Sequence, residues 1–147
     1  MISCEIPEGV TTIGDNAFRN CTSLSMVNIP DTVTSIGSAA FRDCLNFRSI
    51  SIPSGVTSIA NETFYNCDVL TDIELPDSIV SIGELAFAQC EGLYSVILPI
   101  DVPPAIGSQV FDGTNNNLKI YVPSESVEVY KITAGWSTYA NKIFPIE

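Results

Sequence analysis

The residues best equipped for chemistry are cysteines and carboxylates, because the chain has no histidine. Without histidine there is no Ser-His-Asp or Cys-His nucleophile system and no imidazole metal ligand. Neither a P-loop nor a G-x-G-x-x-G string is present, so these two phosphate cradles are missing as well. Cys21, Cys44, Cys67 and Cys90 recur every 23 residues, with Cys4 outside that series. Zinc sites are built from close pairs such as C-x2–4-C, and thiols spaced this way fall in a line and not a tetrahedron. The 17 Asp and Glu leave carboxylate-pair hydrolysis open on composition. A glycosidase would need two of them about 5–9.5 Å apart across a cleft. Set against six Lys and Arg, they give a net charge of −11, which repels nucleic acid and anionic membrane surfaces. No apolar run approaches the roughly 20 residues that span a bilayer, so no membrane insertion is expected. No cofactor is implied.

The cysteine spacing belongs to a repeat that runs through the chain. Pro7, Pro30, Pro53, Pro76 and Pro99 keep the same interval. So do Ile13, Ile36, Ile59 and Ile82, and so do Phe18, Phe41, Phe64 and Phe87. Leu24, Phe47, Leu70 and Leu93 form another column, as do Val27, Ile50, Ile73 and Val96, and Ile29, Ile52, Leu75 and Leu98. Val10, Val33, Val56, Ile79 and Val102 complete the apolar set. A fifth unit continues with one inserted residue, placing Ile106, Gly107, Phe111, Ile120, Val122 and Pro123 in the shifted columns and Thr114 in the cysteine column. Degenerate terminal units are usual where one side meets water or a cap.

Each unit reads as a coil. Val27 and Ile29 point inward with Asn28 outward, the period-2 pattern of a strand. Pro30 ends it, since proline cannot donate to a ladder. Val33 to Ile36 is a second short extended piece, and Gly37 makes a turn, as do Gly14 and Gly83. Ala60 stands in that column, so positive φ is not required there. The Ala-Phe-x-x-Cys piece is too short for an independent helix; a single helical or 3₁₀ turn is expected to drop Phe and Cys inward. Stacking such coils about 4.8 Å apart forms parallel sheets from like residues. Cysteines stacked in register point in parallel, with Cβ atoms further apart than the ~3.8 Å a disulfide prefers. Buried free thiols, behaving as small hydrophobes, are therefore expected.

The string I-P-x-x-V-T-x-I-G-x-x-A-F-x-x-C-x-x-L, over about residues 4–123, resembles the BspA-like class of bacterial leucine-rich repeats. The tail from Val122 to Ile143 is similar to a closing segment common in that family. The resemblance implies a leucine-rich-repeat solenoid of stacked parallel β coils with a C-terminal cap, secreted or displayed on a cell surface. It also implies a role in adhesion to host proteins or other microbes. Residues 1–123 are expected to form the solenoid, with the first coil truncated, and residues 124–147 the cap. Ser124 is placed to cap a short helix through Lys131 with Val127 and Tyr130 facing inward, and Trp136, Tyr139 and Ile143 mark a second helical turn.

The opening lacks a basic segment followed by an apolar one, so either the protein is cytosolic or a signal segment lies outside this sequence, the second being the expectation. The chain starts in mid-unit with Cys4 and Ile6 on core columns. A longer natural chain is the preferred explanation, with self-association through the open N-terminal coil as the other. Free thiols weigh against export, and burial answers that objection. The stretch Asp112–Asn117 has some flavour of a calcium loop but lacks spaced acidic ligands and reads as a turn, as does Asp101–Pro104.

Outward-facing strand positions fall into three columns: Asn28, Ser51, Glu74, Ile97 and Tyr121; Met26, Ser49, Asp72, Ser95 and Lys119; and, at the strand edge, Ser25, Arg48, Thr71 and Tyr94. Aromatic anchors favour protein interfaces. A partner-binding patch is therefore expected around Tyr94, Ile97, Lys119 and Tyr121, with Asp72 and Glu74 beside it. The competing reading makes these ordinary solvated residues. The expected role is a non-catalytic module binding a host or microbial surface protein. The alternatives are an architectural spacer in a larger surface protein and a carbohydrate-binding module.

Overall fold

The computed structural model describes residues 2–147. The chain winds through five successive coils, residues 2–23, 24–46, 47–69, 70–92 and 93–117, and then enters the closing segment. One row of strands comprises β1 (Ile2–Glu5), β3 (Leu24–Asn28), β5 (Ser49–Ile50), β7 (Asp72–Glu74), β9 (Ser95–Ile97) and β11 (Lys119–Val122). The second row comprises β2 (Thr12–Ile13), β4 (Ser35–Ile36), β6 (Ser58–Ile59), β8 (Ser81–Ile82) and β10 (Ala105–Ile106). All pairings are parallel and follow the repeat, for example Val27 with Ile50 and Ile59 with Ile82, apart from a register shift between Ile2 and Ser3 in the first pair. The strands are short because proline follows the first and a turn follows the second, so each coil gives the sheet only a few rungs.

Like residues stack on like. Phe18, Phe41, Phe64, Phe87 and Phe111 form one row of rings with centroids 5.3, 5.6, 5.4 and 5.7 Å apart and planes within 11° of parallel. Phe47 stands where the other coils carry leucine and adds a ring beside that row, 5.0 Å from Phe41. Each buried ring contributes roughly 1.5–3 kcal/mol, which only a neighbouring coil makes available.

The Ala-Phe-x-x-Cys piece is not the helical or 3₁₀ turn expected. It is a run of linked turns, with Ala17 N–H donating to the Gly14 carbonyl, Arg19 N–H to Asn16 and Cys21 N–H to Phe18. Asn16, Asn20, Ala39, Asp43, Glu62, Asn66, Leu85, Gln89 and Gln109 hold φ between 55° and 61° within these runs. Such backbone costs about 1–2 kcal/mol per non-glycine residue. What offsets it is a third ladder. Asn16, Phe18 and Asn20 donate their N–H groups to the carbonyls of Ser38, Ala40 and Arg42 in the next coil, and three equivalent bonds join each successive pair up to coil 5. A helix would have spent those N–H groups within the coil.

The glycine column has a different cause from φ. A Cβ at Gly37 would stand 2.5 Å from the Asp15 backbone nitrogen, and one at Gly83 the same distance from Asn61 nitrogen. Glycine is used there because adjacent coils pass too closely for a side chain.

Two core assignments change. Val102 is 77% exposed, while Ile100 and Pro104 are buried in its place. The inserted residue in coil 5 lengthens the bend and throws Val102 outward. Ser25, expected outside, is buried, with its hydroxyl donating to the Ile2 carbonyl.

The closing segment runs through a 3₁₀ turn (Ser124–Ser126), helix α1 (Val127–Ile132), a second 3₁₀ segment (Trp136–Lys142) and strand β12 (Ile143–Pro145). Ser124 makes no capping hydrogen bond; the chain enters α1 directly from the 3₁₀ turn. Ile143 belongs to β12 and not to a helical turn, pairing with Ile120 so that the first sheet gains another parallel strand.

Candidate functional site

The cap shows what the last coil needs. Phe111 has no further phenylalanine to stack on and meets Tyr139 edge-on at 5.2 Å and Trp136 at 6.3 Å instead. Tyr130 packs edge-on against Trp136. Each polar tip takes the part of a missing coil. Tyr130 donates to the Ile100 carbonyl at 2.8 Å, Trp136 Nε1 donates to the Pro104 carbonyl at 2.7 Å, and Phe111 N–H donates to the Tyr139 hydroxyl at 3.3 Å. Burial raises the phenol pKa values of Tyr130 and Tyr139. These aromatics are a lid, with no surface to offer a ligand.

The thiols are also committed inward. Cys44, Cys67 and Cys90 are buried and free, and Cys4 and Cys21 half-buried and free. They do more than fill space. Cys44, Cys67 and Cys90 donate S–H to the carbonyls of Phe18, Phe41 and Phe64 in the preceding coil, at 3.1, 3.2 and 2.9 Å. Thr114 keeps a donor in this column and bonds Phe111 of its own coil. Burial pushes the Cys44 thiol up to about 12, and hydrogen bonding with Cys90 together with burial raises Cys67 well above its ordinary value. Neutral buried thiols are poor nucleophiles and poor metal ligands. Among the described residues no group of three His, Cys, Asp or Glu is placed to hold a metal ion. At the Asp112–Asn117 loop, Asn117 N–H donates to the Asn115 side chain, the local bond of an Asx turn.

The outer face of the sheet formed by β7, β9, β11 and β12 is the remaining candidate. Register places Glu74, Ile97, Tyr121 and Phe144 in one row across it, and Asp72, Ser95 and Lys119 in the next. The six residues expected to form one patch are divided. Ile97 and Tyr121 line a groove of about 370 Å³ with Ile146 and Glu147. Lys119 reaches over Phe144, with Nζ 5.2 Å from the ring centroid, and Tyr121 lies 6.5 Å from the same ring. Asp72 and Glu74 line a separate groove of about 560 Å³ with Ser49, Ser51 and Asp77. Tyr94 is 51% exposed but lies one residue before β9, in the parity of buried Val96, and lines neither groove.

Phe144 is the member that sequence reasoning missed. Its signal was the string Ile143-Phe144-Pro145, a short alternation closed by proline like those ending the earlier strands. The aromatic density of the tail drew it into a helical reading instead.

The family model for the BspA type leucine rich repeat region matches residues 1–119 in six copies. The chain belongs to this family, a class of leucine-rich-repeat solenoids. No curated protein matches the chain. Among solved structures, it is similar to a leucine rich cell surface protein from Faecalibacterium prausnitzii A2-165, with 32% identity and a TM-score of 0.72 over 82% of this chain and 31% of that one. It is also similar to the leucine rich repeat protein of T. pallidum, with 27% identity and a TM-score of 0.76 over 98% of this chain and 68% of that one. The pneumococcal vaccine antigen PcpA shares the fold at 18% identity and a TM-score of 0.61, over 99% of this chain and 41% of that one. The chain thus spans about a third of the first of these proteins. No helix among the described residues is long and apolar enough to cross a membrane.

Proposed function

We propose that this chain is a non-catalytic protein-binding module of a bacterial cell-surface or secreted protein, and that it binds a host or microbial surface protein through the C-terminal part of its first sheet. The observation that carries this is a change of character along one outward row. Asn28, Ser51 and Glu74 in the early coils give way to Ile97, Tyr121 and Phe144 in the late ones. Core stacking places little demand on an outward position, and a run of apolar and aromatic residues there has the composition that protein interfaces favour. The surface placement of the Faecalibacterium protein fits this reading. Lys119 and Asp72 in the adjacent row, and Glu74 at the head of this one, would set orientation more than affinity.

Screening the purified chain against host matrix proteins and microbial surface proteins tests the proposal. Tyr121→Ala combined with Phe144→Ala is expected to weaken the binding found by 10-fold or more, at about 1.4 kcal/mol per decade. The pair Tyr94→Ala and Tyr121→Ala asks whether Tyr94 contributes. Unchanged binding by both double variants removes this face from consideration. Absence of any partner favours the architectural spacer.

A further inference from the structure

The solenoid is not uniformly bonded. In the second strand row, Gly37 N–H donates to the Ile13 carbonyl, Gly83 to Ile59 and Gly107 to Ile82. The equivalent bond from Ala60 to Ile36 is absent, as is that from Thr57 to Thr34, although Thr34 and Val80 make theirs. The row accordingly splits into β2–β4 and β6–β8–β10. Ala60 is the one member of the column that is not glycine. A Cβ in the geometry of Gly37 or Gly83 meets the preceding backbone at 2.5 Å, so coil 3 stands off from coil 2 at this point.

The first strand row breaks one coil later. It splits into β1–β3–β5 and β7–β9–β11–β12. Ile6, Leu75 and Leu98 donate to Asn28, Ile97 and Tyr121, but Ile29 makes no such bond to Ser51 and Ile52 none to Glu74, so this position is unbonded on both sides of coil 3; Thr71 makes none to Arg48, whereas Arg48 keeps its bond to Ser25. Coil 3 is also the coil that carries Phe47 in the leucine column, fully buried against Phe41 and Phe64. The 560 Å³ groove lies over this second break.

The turn face is closed where the strand faces are open. Ala39, Phe41 and Asp43 donate to Asn61, Thr63 and Tyr65, and Glu62, Phe64 and Asn66 to Glu84, Ala86 and Ala88. Arg42 of coil 2 pairs with Glu62 of coil 3 and lies 4.5 Å over the Tyr65 ring, while Asn66 donates to Asp43. These side-chain ties cross the same coil 2–coil 3 boundary at which the second strand row is broken.

We propose that coil 3 is a hinge: the turn ladder is its pivot, the strand faces open and close about it, and the groove between β5 and β7 changes width as they do. Hinges absorb motion at a few positions between stiffer blocks, here coils 1–2 and coils 4–5.

Amide exchange by NMR on the intact chain tests this. The discriminating site is Arg48, whose N–H donates to Ser25 just as Tyr94 donates to Thr71. A static gap leaves both amides equally protected, whereas a hinge exposes Arg48 intermittently. Arg48 is expected to exchange about 10-fold or more faster than Tyr94, with Phe41 and Phe64 in the turn row as slow as Phe87. Ala60→Gly is expected to slow exchange at positions 48, 57 and 60. Gly83→Ala is expected to speed it at positions 80 and 83 by opening a second gap. Equal protection of Arg48 and Tyr94, or no response at position 48 to Ala60→Gly, would overturn the hinge.

Discussion

The first and last coils are built from the same columns and are buried to different extents. In coil 1, Cys4, Ile6, Val10, Phe18 and Cys21 are only half-buried. At the other end Phe111 is 3% exposed, because Trp136, Tyr130 and Tyr139 close over it. The repeat therefore does not store stability in its own residues. A coil is worth what its neighbours bury, and a terminal coil reaches full value only when other chemistry imitates the next coil. The cap imitates it in both apolar area and hydrogen bonding.

Removing the imitation should have the largest effect. Trp136→Ala is expected to cost about 3–5 kcal/mol, from lost ring burial and a Pro104 carbonyl left without its donor. Thermal denaturation would show this as a fall in Tm on the order of 10 °C. A loss below about 1 kcal/mol would mean that the cap does not close the core. Next comes the contrast between ends. Phe64→Ala, between two stacked rings, should also cost about 3–5 kcal/mol, while Phe18→Ala in the open coil should cost about half as much. Equal urea midpoints for the two variants would erase the difference drawn between coil 1 and the interior.

The smallest effect concerns the thiols. Cys4 and Cys21 should alkylate in the folded chain near pH 8, with Cys44, Cys67 and Cys90 reacting only on unfolding. For Cys44 the folded pKa is raised from 9.0 to about 12, so the folded state holds its proton more tightly. That contribution to stability is complete below pH 9.0 and declines as pH rises toward about 12. Tyr130 and Tyr139, also raised, add a loss of the same sign above pH 10.0. A urea midpoint that is flat over this alkaline range would contradict these assignments.

Much of this molecule is legible in one dimension, because a 23-residue period forces residue i and residue i+23 into contact once coils stack. Proline positions end the strands, and the phenylalanine and cysteine columns point inward wherever the stack continues. Binding residues are less legible. Ile97, Lys119 and Tyr121 could be placed on one face by register, but Phe144 joins them only because the cap returns as a strand. Tyr94 leaves them because a strand edge turns its side chain away.

The sequence by itself determined the period, the inward columns and the need for a closing segment, since these follow from periodicity and the cost of exposed apolar area. Only the tertiary structure decided the rest. The turn runs gave up helical form because their N–H groups find partners in the next coil. A single methyl at Ala60 opened a ladder because backbones pass there at a distance that glycine alone permits. Contacts between coils set these outcomes, and no coil contains them alone.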